Sequence, residues 1–320
     1  MDIILIISGL VLLFFGGEGL VRGSVGIAER MGISTLLVSL VVIGFGTSMP
    51  ELLVCVQAAL SGHSDLALGN VVGSNIANTF LILGVGAVLA PMVCSKDVIL
   101  RDSVAVIVAS AMLAALTFFE VIDWRAGIIM LLALCAYLYT AYRLEKSATA
   151  KERSENAEIK KDVADDMSEP QDSFTKAIIL VIIGLIALVA GANFLVSGAS
   201  SIARSFGISE AVIGLSLVAL GTSLPELATA VIASIKGQSD VIIGNVLGSN
   251  LFNILSILGT TALIAPLSMG GRIAEFDVWI MLGSAVMLYP VIRIGRNINR
   301  LEGAAFLTIY AGYIAFMYVS

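Results

Sequence analysis

GFGTSMPELLV, running from Gly44 to Val54, returns 175 residues later as ALGTSLPELAT, Ala219 to Thr229. A second pair keeps the same offset: GNVVGSNIANTFLILG, Gly69 to Gly84, and GNVLGSNLFNILSILG, Gly244 to Gly259. Ten of the sixteen positions in this second pair are identical, so the chain is duplicated. The likeness extends to GGEGLVRGSVGIAERMGIS, Gly16 to Ser34, against GANFLVSGASSIARSFGIS, Gly191 to Ser209. Each copy sets one carboxylate, Glu51 or Glu226, inside an apolar stretch. A charge deep in a membrane span is costly and usually marks a substrate or ion pathway. Two of them at equivalent places predict one shared site at the interface of the repeats.

Composition supports a membrane setting. The 320 residues are 58% hydrophobic and 13% charged, against about 45–50% and about 25% for soluble domains. A spanning helix needs roughly 20 mostly apolar residues. Ten stretches qualify: 3–25, 34–60, 65–90, 98–119, 124–142, 175–199, 209–235, 240–265, 274–293 and 302–319. The N-terminal stretch has no basic leader or small-residue cleavage site and reads as the first span. The spans leave no room for a soluble enzymatic domain. Cys55, Cys94 and Cys135 are scattered and read as buried apolar residues.

The only long polar stretch, 144–174, is rich in mixed charge and reads as a flexible linker. Its acids, dense between Asp162 and Asp172, lack the spacing of an EF-hand. The linker separates an N-terminal repeat, 1–143, from a C-terminal repeat, 175–320. Five spans in each half is an odd number, so the second half enters the membrane from the opposite side. The predicted fold is all-α and polytopic, ten transmembrane helices in two inverted-topology repeats of five. With the linker placed in the cytoplasm, 15 of the 18 Lys and Arg fall on the inner side, as basic residues prefer. Both termini are then outside, and the predicted location is the cytoplasmic membrane.

The motifs predict oxygen ligands. Pro50 removes a backbone donor and clashes with the preceding turn; with Gly44 and Gly46 before it, it predicts a broken helix. Carbonyls around Gly44 to Thr47 are freed, which is tolerated at membrane depth only against protein or a polar cavity. Ser48 and Glu51 follow on one helix face, and Ala219 to Glu226 repeats the arrangement. Ser74 with Asn78, and Ser249 with Asn253, are i, i+4 pairs on one face each. Carboxylate, hydroxyl, amide and backbone oxygens suit hard cations such as Ca²⁺ and also Na⁺. Two carboxylates match one divalent ion, two monovalent ions, or protons. Asp65 and Asp240 read as helix-start residues, and Glu18 with Arg22 as an i, i+4 pair.

GTSMPE with GNVVGSNIAN, and GTSLPE with GNVLGSNLFN, resemble the paired repeats of sodium/calcium exchangers, in the cation/Ca²⁺ antiporter superfamily. The resemblance covers almost the whole chain, and the short linker is similar to the prokaryotic type. It implies electrogenic exchange of Na⁺ for Ca²⁺ by alternating access, spans one and six sliding across a packed core. It also implies site roles. Glu51 and Glu226 would hold Ca²⁺ with the carbonyls of Thr47 and Thr222. The carbonyls of Gly44 and Ala219, the hydroxyls of Ser48, Ser223, Ser74 and Ser249, and the same glutamates would form flanking Na⁺ sites. Asn78 and Asn253 would complete the central shell. Some relatives, typically potassium-dependent ones, carry Asp where this chain has Asn253, so Asn here implies K⁺ independence. The alternatives are a Ca²⁺/H⁺ antiporter using the same glutamates, and a cation channel. An intramembrane enzyme lacks a nucleophile/base pair or zinc motif. No cofactor, nucleic acid or obligate protein partner is implied; Ca²⁺ and Na⁺ are substrates, and the surroundings are the lipid bilayer.

Overall fold

The computed structural model describes residues 1–93, 96–159, 173–207, 219–295 and 297–319. Helices dominate it. They are α1 (Asp2–Met31), α2 (Thr35–Thr47), α3 (Met49–Leu60), α4 (Ser64–Leu89), α5 (Lys96–Leu116) and α6 (Trp124–Ile159) in the first part of the chain. Then come α7 (Phe174–Ser205), α8 (Ala219–Thr222), α9 (Leu224–Ile235), α10 (Ser239–Ile264), α11 (Val278–Gly295) and α12 (Arg300–Val319). Among the described residues, six helices are long and apolar enough to cross a bilayer. There are seven if α2 and α3, bent by 42° at their junction, form one broken span. The predicted spans at 98–119 and 302–319 are the helices α5 and α12. Residues 209–218 of the predicted seventh span, 160–172 of the linker, and Cys94 lie outside the described residues. The helix α6 continues to Ile159, into the segment read as a linker. Ala, Lys, Glu and Arg between Lys146 and Glu158 favour helix, which the charge count alone obscured.

Burial orders the helices. In α10 94%, and in α4 78%, of the apolar window is buried, against 28% in both α1 and α7. The GNV/GSN helices are therefore the centre of the molecule, and α1 with α7 lies at its edge. These two outer helices pack antiparallel along a glycine seam. A Cβ on Gly16 would lie 2.9 Å from the Gly184 carbonyl, and one on Gly9 2.8 Å from that of Gly191. Gly9, Gly16 and Gly23 recur every seven residues, as do Gly184, Gly191 and Gly198. Small residues at such spacing let two backbones approach closely.

The breaks are built the same way in both halves. Ser48 (φ −84°, ψ 5°) separates α2 from α3, and Ser223 (φ −88°, ψ 4°) separates α8 from α9. Pro50 and Pro225 sit at the second position of the resumed helices, where a missing N–H costs nothing to the new helix. The same prolines cannot supply a donor to the carbonyls of Gly46 and Gly221, four residues back. The helices α2, α4 and α10 each contain a π turn, at Ser39–Ile43, Asn78–Ile82 and Phe252–Leu258. Two short antiparallel strand pairs tie distant loops: Met92–Val93 with Asn297–Ile298, and Val121–Ile122 with Leu267–Ser268.

Candidate ion-binding site

The two broken helices and the two buried helices bring the duplicated motifs together. Glu51 opens α3 and Glu226 opens α9, one turn past each break, and each is 1% exposed. The Ser48 hydroxyl reaches Glu226 Oε1 at 3.5 Å, so a residue of one motif touches the carboxylate of the other. The Thr222 side chain faces Glu51, and that of Thr47 faces Glu226. Each carboxylate is thus approached by the break of the opposite repeat.

The helix α2 lies directly against α10, and Gly44 is why. A Cβ there would meet the Gly248 backbone at 2.8 Å. This approach lets the Ser249 hydroxyl donate to the Gly44 carbonyl at 3.3 Å. Thr47 Oγ1 lies 3.5 Å from Ser249 Oγ and donates to the Ile43 carbonyl at 2.9 Å, with Asn245 Oδ1 a second acceptor within reach at 3.2 Å. Thr47, assigned by resemblance to the Ca²⁺ shell, and Gly44 and Ser249, assigned to flanking Na⁺ sites, therefore form a single cluster. Ser74, Ser223, Asn78 and Asn253 are all buried on the same four elements. Ala219 begins α8, three residues before Thr222.

Electrostatics favour a cation. The fully buried charged residues among those described are acids; none is Lys or Arg. Both oxygens of Glu51, Oε2 of Glu226, Oδ1 of Asn78 and Oδ1 of Asn253 are buried without a hydrogen-bond partner among the described residues. Burying such acceptors unpaired costs several kcal/mol in total. A desolvated cation offsets that cost by coordinating them. The donor chemistry is oxygen throughout, with no soft ligand in the set, which fits Ca²⁺ or Na⁺.

Sequence reasoning passed over Asn75, Asn245 and Asn250, which pack beside these ligands. The signal was present, since Asn75 and Asn250 are identical at the 175-residue offset, as are Asn70 and Asn245. The i, i+4 face of Ser74 and Asn78 drew the attention instead. The Glu18 carboxylate, expected beside Arg22, also accepts from Lys236 Nζ at 2.8 Å, and the Arg22 charge acts on it too.

A sequence profile described as "Sodium/calcium exchanger protein" matches residues 1–143 and 176–319. The chain belongs to the sodium/calcium exchanger family. It is thus a multi-pass membrane protein of a family of transporters, not enzymes. Among its relatives, the putative antiporter CaxA of Alkalimonas amylolytica is 33% identical, the match covering 97% of this chain and 96% of that one. The sodium/calcium exchanger MaX1 of Methanosarcina acetivorans is 30% identical, over 99% and 98% of the two chains. Among solved structures, the sodium-calcium exchanger NCX_Mj, soaked with Na⁺ and Sr²⁺, superposes with a TM-score of 0.83 at 28% identity. That match covers 98% of this chain and 97% of the other. The fold of this family member is therefore that of a known exchanger.

Proposed function

We propose that the chain is a secondary active antiporter that exchanges Na⁺ for Ca²⁺ across the cytoplasmic membrane by alternating access. The observation that carries this reading is the buried set of unpartnered oxygens on Glu51, Glu226, Asn78 and Asn253, with no Lys or Arg among the fully buried residues described. In this reading Glu51 and Glu226 hold Ca²⁺ with the carbonyls of Thr47 and Thr222, and Asn78 and Asn253 complete the shell. The carbonyls of Gly44 and Ala219, with the hydroxyls of Ser48, Ser74, Ser223 and Ser249, hold Na⁺ on either side. Two carboxylates balance one Ca²⁺ or two Na⁺; in this reading more than two Na⁺ replace each Ca²⁺, and exchange at that ratio moves net charge and is electrogenic. Asn rather than Asp at position 253 leaves the site one acid short and supports K⁺ independence. Ten spans in two inverted repeats, with termini outside and the 144–174 linker inside, complete the proposed architecture.

One observation favours H⁺ as the coupling ion instead. The same two glutamates are buried with oxygens that have no hydrogen-bond partner among the described residues, so each could carry a proton in place of a cation. The test is ⁴⁵Ca²⁺ uptake into proteoliposomes loaded with Na⁺ and diluted into Na⁺-free medium at equal pH. Uptake that requires the outward Na⁺ gradient is expected, with K⁺-loaded vesicles inactive. Uptake driven by a pH gradient without Na⁺ would move the coupling ion to H⁺.

A further inference from the structure

The asparagines that sequence reasoning passed over form two crossed pairs between α4 and α10. Asn78 Nδ2 donates to Asn250 Oδ1 at 3.0 Å, and Asn253 Nδ2 donates to Asn75 Oδ1 at 3.1 Å. In each pair the NH₂ group of the candidate ligand is consumed by an asparagine of the opposite repeat. What is left over is the side-chain oxygen, and in both Asn78 and Asn253 that oxygen is buried and unpartnered. An amide offers one acceptor end and one donor end, and only the acceptor end can bind a cation.

The orientation of the holders is itself fixed. Thr79 Oγ1 spends its proton on the Asn75 carbonyl at 3.0 Å, one turn back in α4. It can therefore only accept from Asn250 Nδ2, which lies 3.3 Å away. That places Asn250 Oδ1 towards Asn78 and leaves Asn78 only its NH₂ to give. A flipped Asn250 would set oxygen against oxygen at Thr79, and NH₂ against NH₂ at Asn78. On the other side Asn75 Nδ2 faces two acceptors, the Asn250 carbonyl at 3.4 Å and Met281 Sδ at 3.5 Å. Its Oδ1 is thereby turned to Asn253. The two halves reach one result by different means, because Ile254 stands where Thr79 stands in the first repeat.

We propose that Asn75 and Asn250, the latter set by Thr79, are positioning residues that hold the amides of Asn78 and Asn253 with oxygen towards the ion. The inference rests on the reading of this site as a cation site but not on which ion drives transport. Groups that orient a metal's ligands typically contribute about 10–100-fold in metal affinity.

Equilibrium binding of ⁴⁵Ca²⁺ to the purified full chain in Na⁺-free buffer tests it. Thr79→Val keeps the shape and removes the acceptor, so Ca²⁺ affinity falls about tenfold or more, while Thr79→Ser retains wild-type affinity. Asn250→Ala weakens binding similarly. In an Asn78→Ala background Thr79→Val has no further effect, because it acts only through Asn78; a structural lesion would add. Thermal unfolding of each variant checks that it is folded. Wild-type binding with unchanged affinity in Thr79→Val, or full additivity with Asn78→Ala, overturns the positioning role and leaves the function standing. Folded wild-type protein that binds no Ca²⁺ overturns the function itself, and the positioning role with it.

Discussion

At the scale of single residues, Glu51 and Glu226 are costly side chains to leave as they are. Each is buried, and at least one oxygen of each is unpartnered. Removing one carboxylate from a desolvated cation shell should cost about 3–5 kcal/mol, as breaking a buried ion pair does. Glu51→Gln and Glu226→Gln are therefore each expected to lower Ca²⁺ flux at least about 100-fold. The same changes remove a buried charge from the ion-free protein, so its thermal midpoint should hold or rise. Flux in reconstituted vesicles and melting in Ca²⁺-free buffer read the two effects separately. A variant with near-normal flux would remove that glutamate from the site. These two residues were legible because a carboxylate in an apolar run stands out on its own. Asn75 and Asn250 were not, since nothing in an isolated GSN tells which asparagine faces an ion and which faces its neighbour's amide. That choice depends on two helices meeting across the repeat boundary.

At the scale of elements, the sequence named the breaks but not the π turns. Pro and Gly fix a break through local sterics, which is why Ser48 and Ser223 fall where the motifs predict. A π turn instead depends on tertiary packing around one inserted residue, and Asn78 and Asn253 both lie in one. Two further contacts were hidden for the same reason. Tyr137 donates to Asp102 at 2.8 Å, joining α5 to α6, and Tyr313 donates to Asp277 at 3.1 Å, joining α12 to a further π turn, Ile273–Asp277, just before α11. Asp102 and Asp277 are equivalent at the 175-residue offset, but their tyrosine partners are offset by 176. The glycine seam of α1 and α7 carries the next prediction. A methyl group at Gly16 or Gly184 meets the opposing backbone below 3.0 Å, and backbone cannot swing away as a side chain can. Gly16→Ala and Gly184→Ala should each destabilise by about 1–3 kcal/mol. Gly312, with nothing within 4 Å of its Cβ position, supplies the control. There alanine should be neutral or stabilise by about 0.5–1 kcal/mol. Thermal melting in detergent ranks the three variants, and equal midpoints for all of them would mean that the seam is not tight.

At the scale of the whole molecule, the duplicated chain makes a claim about sidedness. The 175-residue offset holds for backbone geometry as well as sequence. Gly62 (φ 79°) and Gly237 (φ 67°) take the left-handed conformation at the ends of α3 and α9, and Gly32 (φ 64°) and Gly207 (φ 78°) do so after α1 and α7. Equivalent turns in a parallel duplication would face the same side of the membrane. With five spans per half they must face opposite sides, because an odd number of crossings reverses the direction of the chain. Ser61 and Lys236 are the equivalent exposed positions at the ends of α3 and α9. In the proposed topology, counting from an outside N-terminus puts Ser61 outside and Lys236 inside, the side that basic residues prefer. Single cysteines at these two positions, in a chain whose Cys55, Cys94 and Cys135 are replaced by serine, are to be treated with a membrane-impermeant maleimide. Ser61→Cys should label in intact cells. Lys236→Cys should label only after the membrane is opened. Labelling of both from the same side would mean that the repeats are parallel. Glu51 and Glu226 would then approach the site from one face, and alternating access could not arise by exchanging the roles of the two halves.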